Sequence, residues 1–211
     1  MLKLQLIIGS TRAGRNADAV VRWLSHVVQG NGSFEVETLD LRDWPLPFFQ
    51  ENPMAMGDLR NPTYSDPIVK RWNDKIKEAD AFLFVTPEYN HSTSAVLKNA
   101  IDTVFFSFGF RHRAVAFVSY SAGAAGGVRA IEHLQQIMIE AEASPIRTPT
   151  IIPFVLQAFD AEGKAANAVV DVTARIMLED LAWLAKAMKN ARAEGELPPA
   201  QGRIRAATTK K

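Results

Sequence analysis

Five times along this chain a short apolar run of strand length gives way to a stretch with apolar residues at helical spacing, and that alternation restricts the possible folds more than any other feature. Leu4, Leu6, Ile7 and Ile8 make the first run, and Ala17, Val20, Val21, Leu24, Val27 and Val28 the first helical face. Phe34, Val36 and Leu39 form a second strand. Pro67 opens the next helix, with Ile68, Val69, Trp72 and Ile76 on one side and Asp66 as a suitable N-cap. A third strand is expected over residues 81–85 and a helix over 94–106. The fourth strand, 114–118, is apolar without a break and should be covered on both faces, and the helix after it should reach about residue 142. The fifth strand is weaker and lies within 146–152, because Pro145, Pro149 and Pro153 interrupt it. An alanine-rich helix over about 164–191 offers Val169, Ile176, Met177, Leu181, Leu184 and Met188 for packing. These helices are long enough to cross over a parallel sheet, so the chain reads as a doubly wound α/β sandwich.

Composition narrows the chemistry. With 211 residues, 47% of them hydrophobic, a single domain over 1–191 can bury a full core, followed by a flexible basic tail over 192–211. There is no cysteine, which removes thiol nucleophiles, disulfides and thiolate-bound metals. The four histidines, at positions 26, 91, 112 and 133, show no zinc-ligand spacing, and no metal site is expected. Lys plus Arg (24) nearly balances Asp plus Glu (23), which argues against a nucleic-acid or anionic-membrane partner. No apolar run reaches membrane-spanning length and the first residues lack a signal peptide's features, so a cytoplasmic location is expected.

Sheets of this kind bind ligands beyond the carboxyl ends of their strands, and three unusual loops follow strands one, three and four. The first holds Gly9, Ser10, Thr11, Arg12, Ala13, Gly14, Arg15 and Asn16. It matches neither a nucleoside-triphosphate loop nor a dinucleotide fingerprint. Its hydroxyls, its guanidinium and the free N–H groups of the helix that follows suit an anion such as a terminal phosphate. Asn16 could equally cap that helix and Ser10 merely make a turn, while Arg15 is expected at solvent or an interface. The second loop places Pro87, Glu88, Tyr89 and Asn90 directly after an apolar strand, where packing alone does not call for such polar groups. They can line a planar heterocycle, although Glu88 could simply form an ion pair. One of the hydroxyls over 92–94 should cap the next helix. The third loop, 119–127, carries Ser119, Ser121 and Gly123 among small residues that let backbone approach a ligand. Arg129, in the first turn of the helix after it, needs an anionic neighbour against the helix dipole.

Together the three blocks resemble the NAD(P)H-dependent FMN reductase family of flavodoxin-like proteins, a group that includes quinone, chromate and azo-dye reductases. The blocks are Gly9-Ser10-Thr11-Arg12 through Asn16, Pro87-Glu88-Tyr89-Asn90-His91-Ser92 with Leu97-Lys98-Asn99-Ala100-Ile101-Asp102, and Ser121 through Gly127 continuing as Val128-Arg129-Ala130. The resemblance implies a five-stranded parallel sheet of order 2-1-3-4-5. It implies FMN as cofactor, its phosphate held by Ser10, Arg12 and Asn16, its ring and ribityl chain along Pro87, Glu88, Tyr89 and Asn90, and its far side bordered by Ser119, Ser121 and Gly123. Many family members have serine where this chain has Asn16. The implied activity is a ping-pong oxidoreductase in which NADPH or NADH and then a small acceptor take turns at an exposed flavin face. The acceptor would be a quinone, free flavin, an azo compound or chromate, and no side chain is required as catalytic acid or base. A homo-oligomer, dimer or pair of dimers, is implied as well, which would use the cluster of Phe105, Phe106, Phe108 and Phe110; a monomer would bury these rings under its own loops. Two other readings stand beside the enzyme: a flavodoxin-like electron carrier, and an interaction protein on the same fold.

Overall fold

All strand pairs in the sheet are parallel, and their order is β2-β1-β3-β4-β5, with β6 also paired to β4. The computed structural model describes residues 1–58 and 61–209. In chain order it contains β1 (Leu2–Ile8), α1 (Ala17–Asn31), β2 (Phe34–Asp40), α2 (Pro67–Lys77), β3 (Ala81–Pro87), α3 (Ala95–Asp102), β4 (Ala114–Tyr120), α4 (Val128–Glu140), β5 (Ser144–Pro145), β6 (Thr150–Ile152), α5 (Ala168–Glu194) and α6 (Ala200–Thr208). This is the flavodoxin-like sandwich. The fifth strand position is filled by two fragments, since the prolines and the backbone between them allow ladder pairing with β4 only at 144–145 and 150–152.

Side-chain alternation on β1 divides the core. Leu4, Leu6 and Ile8 face one way, onto Val20, Trp23 and Leu24 of α1 and Met177 and Leu181 of α5. Ile7 faces the other layer, where Phe82, Phe84 and Phe117 meet Trp72 of α2, Leu97 and Ile101 of α3, and Leu134 of α4. β3 and β4 are buried along their whole length, as their unbroken apolar runs require. Both run two residues further than the apolar pattern indicates, because Thr86 pairs with Ser119 and Pro87 with Tyr120 in register. The added polar group at Thr86 is satisfied by a 2.8 Å hydrogen bond to the Thr93 hydroxyl.

Local chemistry sets the helix starts. Asp66 accepts a hydrogen bond from the Ile68 amide at 2.9 Å, with Pro67 at the first helical position of α2. Ser94 caps α3 by accepting from the Leu97 amide at 3.2 Å. The long connection after β2 is not an idle loop: Met56, Tyr64 and Val69 form a small core of their own against Leu46, Phe49, Ile68 and Phe106. Asn99 of α3 fastens the connection by donating to the Pro47 carbonyl (2.9 Å) and accepting from the Phe49 amide (3.1 Å).

Two expectations change here. α3 stops at Asp102 and does not reach residue 106. Of the four rings read as serving a dimer or lying beneath the chain's own loops, Phe110 is core, packed edge-on to Phe82 at 4.8 Å, while Phe106 stacks on Phe49 of the long connection at 6.0 Å. The C-terminal segment expected to be loose holds α6, tethered where Glu142 accepts from the Ala200 amide and Arg111 donates to the Leu197 carbonyl.

At the opposite end of the sheet Asp80 gathers the Lys3 amide (3.0 Å), the Lys189 ammonium (2.7 Å) and the Arg192 guanidinium (3.0 Å), joining β1, β3 and the end of α5. Burial alone would raise its pKa, but these donors outweigh that and hold it below the ordinary 3.8. A carboxylate depressed in the folded state adds stability above its unfolded pKa and loses it as pH falls through the folded value. Asp80→Asn should therefore be destabilised relative to the parent at neutral pH, and the gap in thermal midpoint should close as the buffer is acidified below about pH 4.

Candidate functional site

Parallel pairing of β1, β3 and β4 ends all three strands on one edge, and their loops meet around a cleft of about 390 Å³. Its lining includes Arg12 and Asn16 from the first loop, Pro87, Glu88 and Tyr89 from the second, and Tyr120 and Ser121 from the third. The volume lies within the range of small-molecule sites.

The first loop turns closely over α3. Gly9 is pressed against β3 and Leu97, where an added Cβ would lie 2.8 Å from Leu97 Cδ2 and 3.1 Å from the Val85 carbonyl oxygen. Ser94 donates to the Gly9 carbonyl, so the residue that caps α3 also fixes this turn. Asn16 occupies the N-cap position of α1 but makes no side-chain capping bond. The first N–H groups of α1 have no partner within a helix, and Asn16 at its start lines the cleft.

Charge in the first loop is divided between two arginines with different surroundings. Arg15, expected at solvent or an interface, is buried. It donates to Asp18 (2.7 Å), to both carboxylate oxygens of Asp40 (2.7 Å for the first) and to the Ser10 carbonyl. Its pKa is raised, foremost by the Asp40 hydrogen bond, while Asp40, despite its burial, is held below the ordinary carboxylate value by Arg15 and by the Arg42 amide. Arg15 is therefore a neutralised brace for the loop. Arg12 is the exposed cation, with its guanidinium carbon 3.5 Å above the centre of the Tyr89 ring.

Ser10 is fully buried and outside the lining, where its Oγ lies 2.8 Å from the hydroxyl of Tyr89, and Tyr89 and Tyr120 both line the cleft. Tyr120 is 3% exposed, and its hydroxyl, close to that of Ser10, makes no hydrogen bond of full geometry among the described residues. Burial raises its pKa, so the phenol is neutral and able to donate. A buried, unpartnered donor beside an arginine and a free helix N-terminus matches a ligand rich in acceptor oxygens.

Across the cleft, Glu88 pairs with Arg129 in the first turn of α4, which supplies the anion that position requires. The Glu88 side chain is 6% exposed, and its second oxygen, Oε2, lacks a donor. Asn90 and His91 have φ of 49° and 70° in a tight turn closed by Tyr89 N–H to Ser92 O at 2.8 Å. This conformation carries Asn90 to the surface and away from the cleft lining. Ser119 is also turned away: it is fully buried and donates to the Gly126 carbonyl at 2.9 Å. Gly123 is exposed at the rim and outside the lining. The glycines that geometry requires are Gly126 and Gly127, with φ of 60° and 93° and no room for a Cβ against Ile151 and Ser119. Ala13, Gly14, Arg15, Tyr120, Ala122 and Val155 also line the cleft, and the sequence did not single them out as binding groups. Tyr120 sits two residues past an apolar run, a signal that could have found it, whereas Val155 comes from beyond β6 and carries none.

Gly127→Ala should cost roughly 2 kcal/mol or more in chemical denaturation, through strained backbone and a clash with Ser119. Gly123→Ala, which meets nothing closer than Ser121 Oγ at 3.9 Å, should fall within about 0.5 kcal/mol of the parent.

Comparison with known proteins agrees with this geometry. The family model described as NADPH-dependent FMN reductase matches residues 2–157. An NAD(P)H-dependent FMN reductase of Pseudomonas aeruginosa is 33% identical over 166 residues, covering 77% of this chain and 84% of the relative. An NAD(P)H:quinone oxidoreductase of Solanum tuberosum is 32% identical over 194 residues, covering 90% of this chain and 95% of the relative. Among solved structures, the flavoenzyme NAD(P)H:acceptor oxidoreductase FerB of Paracoccus denitrificans superposes with a TM-score of 0.70 at 20% identity, over 89% of this chain and 99% of that one. With three-quarters of its length matched and its strand order that of a flavodoxin-like sheet, the chain belongs to the NADPH-dependent FMN reductase family.

Proposed function

We propose that the cleft at the ends of β1, β3 and β4 is the FMN site of an NAD(P)H-dependent oxidoreductase that passes reducing equivalents to a small, flat acceptor of the quinone type. The observation that carries this reading is the buried Tyr120 hydroxyl, unpartnered beside Ser10, Arg12 and the open N-terminus of α1. The phosphate would be held by Ser10, Arg12, Asn16 and the α1 amides, with Tyr120 as a further donor. The ring and ribityl chain would lie along Pro87, Glu88 and Tyr89 with Ser121 opposite. Asn90, Ser119 and Gly123 would act only through backbone or by shaping the loops, because their side chains are turned away, bonded elsewhere or absent.

FMN, when bound, supplies acceptance of hydride from the nicotinamide and its delivery to the acceptor. The chain's residues bind, orient and leave one side of the cleft open. The Arg15 brace fixes Ser10, and the Glu88–Arg129 pair locks the second loop to α4, so the lining is set before ligand arrives. Free flavin, azo compounds and chromate are alternative acceptors, and either nicotinamide can serve as donor. A cytoplasmic setting is consistent with the lack of cysteine and with no helix among the described residues being long and apolar enough to cross a membrane. A dimer is proposed through the aromatic surface around Phe48, which is 74% exposed next to the Phe49–Phe106 stack.

Titration of purified protein with FMN, followed by anaerobic addition of NADPH or NADH, tests the reading. Binding followed by bleaching of the visible flavin band is expected; a protein that cannot be loaded, or a band that persists with both donors, would refute it. Arg12→Ala should weaken FMN binding by about one to two powers of ten. Tyr120→Phe should leave the melting temperature of the apoprotein unchanged or higher, since it removes an unsatisfied group, while weakening FMN binding about three- to tenfold. Steady-state assays with a quinone, free FMN, an azo dye and chromate under one set of conditions rank the acceptors.

A further inference from the structure

Helix α5 has two apolar faces, and the chain covers only one. Val170, Ala174, Met177, Leu178, Leu181 and Ala185 are buried against the sheet and α1. Val169, Val172, Ile176 and Trp183 fall on a second stripe and are 63%, 46%, 43% and 76% exposed. Val169 and Ile176, available for packing by their spacing, find no partner within the protomer's core. The stripe runs about 21 Å along the helix at 1.5 Å per residue. Large apolar residues gathered into one exposed stripe, rather than scattered singly, mark an interaction surface.

The spacing identifies the partner. Val169 lies seven residues before Ile176 and Trp183 seven residues after it, so these three are symmetric about Ile176, with Val172 beside them. A second copy related by a two-fold axis at Ile176, its α5 antiparallel, sets each Trp183 on the partner's Val169 and Ile176 against the partner's Ile176. Along such an axis residues on the same flank of the two helices meet. One flank of this stripe carries Arg175 and Glu179, which form no ion pair with each other or with any other described residue. In the antiparallel pair Arg175 comes within reach of the partner's Glu179, and the same contact recurs across the axis. We propose that α5 is a self-association surface through which two copies of this chain pair, separate from the aromatic surface near the cleft and independent of flavin binding.

The absence of cysteine permits a direct test on the full chain. Ile176→Cys should give a disulfide-linked dimer under mild oxidation, because the two-fold axis brings its thiols together, whereas Gln136→Cys, exposed on α4, should not. By sedimentation, Arg175→Glu should raise the dissociation constant of this contact about tenfold, and Arg175→Glu combined with Glu179→Arg should restore it. Equal cross-linking at both positions, or a paired charge reversal that associates no better than the single one, would overturn the proposal. Neither readout requires loaded FMN, so its failure is distinguishable from failure of the flavin assignment.

Discussion

Parallel pairing of β1 with β3 and of β3 with β4 is the constraint on which the site depends. Because these strands run in the same direction, with β3 and β4 in register through Thr86–Ser119 and Pro87–Tyr120, segments far apart in the sequence are delivered to one edge. A crossover helix must return the chain between parallel strands, and so each loop at that edge is also a helix entry. The free amides of α1 and the Arg129 position of α4 both follow from that arrangement.

Electrostatics then divide the work within the loops. Two carboxylates surround Arg15 and none of the described pairs involves Arg12, so one guanidinium stabilises the loop while the other is presented to the cleft. The same separation recurs across the cleft, where Glu88 gives one oxygen to Arg129 and keeps the other without a donor. Buried polar groups are rarely left unpaired by accident. Here two of them, Glu88 Oε2 and the Tyr120 hydroxyl, belong to residues lining one cleft.

Much of this was legible in the order of residues. Apolar period marked β1, β3 and β4, Asp66-Pro67 marked the start of α2, and the resemblance carried by Pro87 to Ser92 indicated the family that the comparisons show. What was not legible depended on the third dimension. Arg15 looked like a surface residue because its partner Asp40 is 25 positions away at the end of another strand. Asn90 and Ser119 carry suitable polar groups, yet a left-handed turn exposes the first and the Gly126 carbonyl occupies the second. The tail after residue 194 looked loose since its tethers, Arg111 and Glu142, lie far upstream.

By itself the sequence determined the layers, the strand order through the family likeness, and which three loops matter, because these follow from local periodicity and from short motifs whose chemistry is carried within a few residues. Only the tertiary structure decided which side chains in those loops face the cleft and which apolar positions of α5 stay uncovered. Both outcomes turn on contacts between distant segments, and whether a hydroxyl or a guanidinium is free for a ligand depends on which remote partner has already claimed it.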